Sequence, residues 1–270
     1  LLAASVVAIG GWRRKRRYRA ADRACTLDRL GERLNVIIDL HVHTRVGSND
    51  SRIDEAELGR LGQRVPELTG IVLTEHQQRW PEIAFSALRS RMFAVNAREV
   101  ETRFGHILVI GVPDDAIARA KGTPELRDAT LQHGGLMILA HPFRHYPSSW
   151  NLLFPQSQDH WKAKELAEWP PERLAEHPVF ALVDALETLN GGCLGTQNRL
   201  AQSVADALAL PAVGASDAHD LNHIGYYATE FEDVIASEEE LIAAVRAGRC
   251  RPVERDRRAG HFAASPLLAP

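Results

Sequence analysis

Cysteine is scarce: Cys25, Cys193 and Cys250 are scattered through 270 residues, and none belongs to a Cys-x-x-Cys pair. A disulfide framework and a cysteine-ligated zinc module are therefore excluded, and a reducing, cytoplasmic setting fits. Charge of one sign is lacking too. The formal net charge is −3, so nothing global attracts nucleic acid, and no stable nucleic-acid complex is expected. Long apolar runs are missing. Leu1–Ile9 is apolar but far shorter than the roughly 20 residues that span a bilayer.

Beyond that stub and two glycines the chain turns basic: Trp12-Arg13-Arg14-Lys15-Arg16-Arg17-Tyr18-Arg19. It begins at Leu1 rather than Met, as a fragment or processed product would. Residues 1–33 are read as a basic tail, either solvated and disordered or the remnant of a membrane anchor with its positive flank. Any membrane contact is expected there alone. The remaining length suits one α/β barrel-like domain.

Against these absences stand twelve histidines. Val36-Ile37-Ile38 reads as a short buried strand leading into Asp39-Leu40-His41-Val42-His43-Thr44. Residues two apart on a strand point the same way, so His41 and His43 converge and make half of a first-row metal site. Later apolar runs repeat the arrangement. Gly70–Leu73 leads to Thr74-Glu75-His76, and Leu136–Ala140 delivers His141-Pro142. Pro211–Ala215 ends in Ser216-Asp217-Ala218-His219, whose Asp217 and His219 mirror His41/His43. A strand starting at Phe93 reaches Glu99 and Glu101, which share a side if it continues; a carboxylate there can bridge two cations. Gly105–Gly111 is a further strand, with His106 at its entrance rather than its exit.

The loop after His43 holds Asn49 and Asp50. On spacing alone Asp50 reads equally as a ligand or as a turn residue. Arg45 beside the site could clamp an anionic group or serve as a surface ion-pair partner. Residues 144–178 interrupt the rhythm with Trp150, Trp161, Trp169 and five prolines. They are read as an insertion or lid containing a short helix near 161–168. His145, His160 and His177 fall in it and are assigned to no metal. A sixth strand is placed at Phe180–Glu187, with Glu187 and Asn190 supporting the site from behind. Residues 253–270 are read as a frayed tail.

Short apolar strands alternating with helices argue a parallel α/β architecture, whose active site lies at the strands' C-terminal ends. Oxygen and nitrogen donors without thiolate suit Zn, Mn or Fe. The donors are too many for one tetrahedral ion, so two or three divalent ions are inferred. Such centres generate hydroxide and clamp both oxygens of a displacement at phosphorus.

The ordered set Asp39–Thr44, Thr74-Glu75-His76, Glu99 with His106, Ala140-His141-Pro142 and Ser216–His219 resembles the PHP (polymerase and histidinol phosphatase) family, over roughly residues 36–252. The segment from Ser216 to Gly248 resembles the C-terminal part of stand-alone members. The resemblance implies a distorted (β/α)7 barrel over residues 34–252 with a trinuclear centre. His41, His43, Glu99 and Asp217 would hold one ion. Glu99 would bridge to a second, held with His106 and His141, and His76, His219 and Asp50 would hold a third. Two positions depart from the family pattern: Glu75 stands where aspartate is common, and Arg98 where glycine is. The implied activity is hydrolysis of phosphate esters by metal-bound hydroxide, with Asp217, Glu99 and His219 catalytic. Arg45 or Arg144 would hold the phosphate of a small phosphorylated substrate or short oligonucleotide. The rivals are a metal-dependent amidohydrolase and a non-catalytic metal-binding regulatory module. The former commonly uses a carboxylated lysine, and no lysine lies at a strand end; Lys121, Lys162 and Lys164 fall in helices or loops. The latter would be expected to have lost ligands.

Overall fold

Ten strands form one sheet in the order β10-β9-β8-β1-β2-β3-β4-β5-β6-β7. The computed structural model describes residues 36–148, 150–154, 163–256 and 258–268. The expected basic tail, Cys25, His160 and Trp161 lie outside the described residues. Among the described residues no helix is long and apolar enough to cross a membrane.

The strands are β1 (Val36–Val42), β2 (Gly70–Glu75), β3 (Phe93–Thr102), β4 (Gly105–Ile110), β5 (Leu136–Leu139), β6 (Ala185–Asn190), β7 (Ala212–Ala215), β8 (Tyr227–Phe231), β9 (Cys250–Arg255) and β10 (Phe262–Ala263). Strands β1, β2, β4 and β5 are almost wholly buried, which is why they read as continuous apolar runs rather than alternating ones. Residues from every strand β1 to β8, among them Ile38, Val72, Val95, Leu108, Ile138, Ala185, Val213 and Phe231, meet in one buried cluster with Leu241 and Val245 of the helix Glu238–Arg246. Two further clusters pack the outer faces of the sheet under the remaining helices and loops.

The sheet curls until its far strand returns to β1. His43 N donates to Ala218 O at 3.0 Å and Ala218 N to His41 O at 3.3 Å, just beyond the end of β7. Ser216 N donates to the Asp39 carboxylate at 2.9 Å, and Gly225 N does so at 2.8 Å. Asp39 is fully buried, and burial pushes its pKa up to about 6 against those hydrogen bonds. The result is the expected distorted α/β barrel.

The expected parallel arrangement is corrected at β4. It pairs antiparallel with both β3 and β5. The start of β4 therefore lies at the same edge as the ends of its neighbours, which is why His106 stands at a strand entrance and still belongs with the others. Strand β8 also pairs antiparallel, with β1 and β9. The expected sixth strand begins later: Pro178–Leu182 forms a 3-10 turn, and β6 starts at Ala185. Ile53, Leu58, Leu61 and Val65, whose spacing would place them on one helical face, are all buried, but the segment forms two short helices, Glu55–Leu58 and Leu61–Arg64. The tail expected to fray from 253 instead carries the end of β9, then β10 and a 3-10 turn at Pro266–Leu268. Within 144–178, short helices at Ala163–Ala167 and Pro171–Leu174 accompany Phe154, Leu166 and Leu174, which are buried in the core.

Candidate metal centre

The barrel brings together His41, His43, His76, Glu99, His106, His141, Asp217 and His219, with Asp50 at their outer side. His41 and His43 end β1, where the pairing with β2 shifts by a residue between Asp39 and Val42. Their Nε2 atoms lie 2.9 Å apart. Glu99 is 2% exposed, and its two oxygens face different histidines. Oε1 lies 2.9 Å from His106 Nδ1 and 3.1 Å from His141 Nε2. Oε2 lies 3.3 Å from His41 Nε2, 3.2 Å from His43 Nε2 and 3.3 Å from His76 Nδ1. Asp217 Oδ1 lies 3.4 and 3.5 Å from the same two β1 nitrogens. Asp50 reaches His219 Nε2 at 3.1 Å and His76 Nε2 at 3.8 Å.

Groups behind the histidines fix which nitrogen carries the proton. His41 Nδ1 donates to Glu187 Oε1 at 3.1 Å, and His219 Nδ1 donates to the carbonyl of Asp217 at 3.0 Å. His43 Nδ1 lies 3.1 Å from Ser48 Oγ. That hydroxyl donates to Glu75 Oε2 at 2.6 Å and accepts from His76 N at 3.2 Å. With its one proton spent on Glu75, Ser48 can only accept from His43. His41 and His43 thus both hold a proton on Nδ1, and their Nε2 atoms, the ones left to bind an ion, face each other and two carboxylates. A cation between such donors removes the repulsion, so the donor set itself fits divalent metal ions.

Without a cation, the carboxylates favour protons on the histidines instead. Burial opposes a charge on His41, but Asp217, Glu99 and Glu187 outweigh it and hold its pKa well above the usual histidine range. Burial likewise opposes ionisation of Glu99 and Asp217, yet the surrounding histidines hold both carboxyls well below theirs. At His76 burial wins and lowers the pKa. Four overlapping groups can each hold an ion: His41/His43/Glu99, His41/His141/Asp217, Glu99/His106/His141 and His43/His76/His219. Within every group the donor atoms lie within 4.8 Å of one another.

Two loop-borne members are held in left-handed backbone, His141 at φ 31° and Asp217 at φ 53°. Non-glycine residues persist there only when their surroundings over-determine them. His141 N is held by Glu187 Oε2 at 2.8 Å, and the same oxygen accepts from Asn190 Nδ2 at 2.9 Å. Glu187 and Asn190 thus stand behind the site as expected. Glu101 does not join Glu99; it is exposed.

The two arginines part company. Arg144 Nη1 lies 3.4 Å from Asp217 Oδ2, at the rim of the cluster. Arg45 is 62% exposed and turned to Asp54 at 3.6 Å. Its place next to His43 in sequence put it near the site, but the loop turns its side chain to the surface. No motif or spacing pointed to the clamp around Glu75. This residue is fully buried. It accepts from Thr44 N at 3.1 Å, from Thr44 Oγ1, from Ser48 Oγ, and from Trp80 Nε1 at 3.0 Å. Arg98 donates to the carbonyls of Glu75 and His76 at 3.0 and 2.6 Å, which explains an arginine before Glu99.

The chain resembles several solved proteins in fold. One is a two-domain protein from Bacteroides vulgatus containing a predicted PHP-like metal-dependent phosphoesterase, with TM-score 0.56 and 19% identity over 81% of this chain and 64% of that one. This chain therefore spans a little under two thirds of that protein's length. PsfC from Pseudomonas syringae matches with TM-score 0.53 and 18% identity over 83% of this chain and 93% of its own. The lesion-specific endonuclease EndoQ from Pyrococcus furiosus matches with TM-score 0.51 and 15% identity over 79% and 56%. No curated protein matches the chain. Residues 195–250, from the helix after β6 to the start of β9, match the PHP-associated family PHP_C. The chain is thus similar in fold to PHP-like proteins and matches a PHP-associated family over its C-terminal segment.

Proposed function

We propose that the chain is a metal-dependent hydrolase of phosphate esters. The observation that carries this reading is the set of inward-facing imidazole nitrogens around Glu99, whose two oxygens serve different histidine groups. In this reading His41, His43, Glu99 and Asp217 hold one ion, and Glu99, His106 and His141 a second. His76, His219 and Asp50 hold a third, with Zn, Mn or Fe as candidates. Ions bound there would supply Lewis-acid stabilisation of charge developing at phosphorus and a nucleophile from water at neutral pH.

The chain's own residues do the rest. Glu187 and Ser48 accept from Nδ1 of His41 and His43, so Nε2 is the atom each ring presents to an ion. Asp217 is held between His41, His43 and Arg144. Arg144 spends one N–H on Asp217 and is 41% exposed, which leaves further donors for a phosphate oxygen. Glu99, Asp217 and His219 are the proposed catalytic residues. The catalytic barrel is proposed to span 34–252 with 144–178 as an insertion beside its mouth; the strands beyond 252 extend its edge. A small phosphorylated substrate or short oligonucleotide is the proposed substrate. None of the strands β1 to β10 carries a lysine, which leaves the amidohydrolase reading without its usual ligand.

The test is hydrolysis of a panel of phosphate mono- and diesters by protein loaded with Mn²⁺. Asp217→Ala and His43→Ala are run beside it, and folding is checked by circular dichroism. Chelator-sensitive turnover that vanishes in folded variants is the expected result. Full activity in either variant, or no turnover on any ester by folded, metal-loaded protein, overturns the reading.

A further inference from the structure

Beside the Glu99/His106/His141 group lies a cavity of about 250 Å³. His106 and His141 border it on the side of the cluster, and Phe104, Trp150, Leu152 and Leu153 give it apolar walls. Arg144 stands at its edge, the same guanidinium that touches Asp217.

These walls are built and held. Phe104 sits in the β3–β4 turn with the Arg103 guanidinium 4.4 Å from its ring centroid. The turn closes at Gly105, whose φ of +100° suits glycine, and a Cβ built there would meet Leu152 at 3.7 Å. Across from it, buried Asn151 donates to the carbonyls of Pro142 at 3.0 Å and Arg144 at 2.9 Å and accepts from Phe154 N at 3.0 Å. That clamp ties the loop after His141 to residues 151–154. Leu153 and Phe154 anchor it in the core, 3% and 2% exposed, whereas Trp150 is left 79% and Leu152 48% exposed. A large indole kept in water beside a fixed apolar cavity is poorly accounted for by packing alone, since burying an aromatic of this size is strongly favourable.

We propose that this cavity binds a planar aromatic group of the phosphoester substrate, with Trp150 as the specificity-determining residue. The inference rests on the phosphoester reading and names its substrate class. Pockets that take whole drug-sized ligands run to about 300–1,000 Å³, so this one suits a single ring system. The phosphate then lies toward the donor cluster and Arg144. Flat walls of indole and phenyl favour a ring over an alkyl chain of similar area, because stacking adds to burial.

The experiment compares kcat/KM for phenethyl phosphate and n-butyl phosphate with the metal-loaded full chain. Both are primary alkyl esters, so the leaving groups are matched and the ring is the difference. A preference of about tenfold or more for the phenethyl ester is expected, falling below threefold in Trp150→Ala. Tenfold corresponds to roughly 1.4 kcal/mol, within the range of one stacked ring. Trp150 is exposed, so the substitution does not threaten the fold. The same contrast is expected without turnover, in tighter binding of phenylphosphonate than of butylphosphonate by calorimetry. Adenosine monophosphate against ribose phosphate separates the sources: a larger ratio than for the simple esters marks a nucleobase, a smaller one an aryl group. Hydrolysis of both simple esters with less than threefold preference, or a preference unchanged in Trp150→Ala, overturns the cavity assignment and leaves the phosphoesterase standing. Hydrolysis of neither ester, together with no turnover on the wider panel of mono- and diesters, overturns the phosphoester reading itself, and the cavity assignment with it.

Discussion

Glu75→Gln changes one atom and reverses the direction of a hydrogen-bond chain. The carboxylate is surrounded by groups that donate: Thr44 N, Thr44 Oγ1, Trp80 Nε1 and Ser48 Oγ. An amide must turn its NH2 toward one side. On the Oε1 side it meets Trp80 Nε1 and Thr44, and the indole and backbone N–H can only donate. On the Oε2 side it meets Thr44 N and Ser48 Oγ, and this hydroxyl can switch from donor to acceptor with less crowding than Thr44 Oγ1, which already accepts from the indole. Ser48 already accepts from His76 N, so its own proton is pushed onto His43 Nδ1. His43 then carries its proton on Nε2, pointing at His41 Nε2, Glu99 and Asp217. The ligand set loses one lone pair. Disturbing a partner behind a metal-binding histidine typically costs roughly 10–100-fold in affinity, or about 1.4–2.7 kcal/mol. The strained contact in the clamp costs about 1–3 kcal/mol of stability. The assay is Zn²⁺ affinity by chelator competition, with the His43 tautomer read from imidazole ¹⁵N shifts in the metal-free protein and stability from urea unfolding. An affinity within twofold of the parent, together with an unchanged His43 tautomer, would refute the proton-direction reasoning.

Three further outcomes are expected. Arg144→Ala should raise KM for a phosphoester several-fold, whereas Arg45→Ala should change kcat/KM less than twofold, because Arg45 is exposed and turned to Asp54; steady-state kinetics on one ester decides between them. Phe154→Ala should destabilise the chain by about 3–5 kcal/mol in urea unfolding, since this ring is buried against Phe143, Tyr146 and Trp169; a loss below about 1 kcal/mol would mean that the insertion does not share the core. The third concerns pH in metal-free protein. The pKa of His41 is raised on folding, so its contribution is fully present below its unfolded value of about 6.5 and is lost as pH rises through the folded value. The pKa values of Glu99 and Asp217 are depressed, so their contribution is present above about 4 and is lost as pH falls through the folded values. Metal-free protein should therefore lose thermal stability on the alkaline side of about pH 6.5, where added divalent metal, needing deprotonated ligands, restores it most. A Tm that rises steadily from about pH 6 to 9 without metal would contradict that assignment.

Local pattern determined a good deal. The short apolar runs at Val36, Gly70 and Leu136 marked buried strands. The two-residue spacing of His41/His43 and Asp217/His219 made each pair converge, because side chains alternate along a strand whatever it packs against. The family resemblance carried by the ordered motifs grouped His41, His43, Asp50, His76, Glu99, His106, His141, Asp217 and His219 without the fold. Strand direction was beyond reach: an apolar run such as Gly105–Gly111 reads the same parallel or antiparallel, and only pairing with β3 and β5 turned His106 to the common edge. Boundaries slipped where burial rather than pattern decided, as at Pro178–Leu182, apolar yet a 3-10 turn. The tertiary structure alone decided what stands behind each ligand. Glu187 meets His41 across 146 positions and Ser48 meets Glu75 across 27, and no periodicity links residues so far apart. It also decided the two arginines, since neighbourhood in sequence fixes where a backbone lies, whereas the loop's turn decides where a long side chain goes.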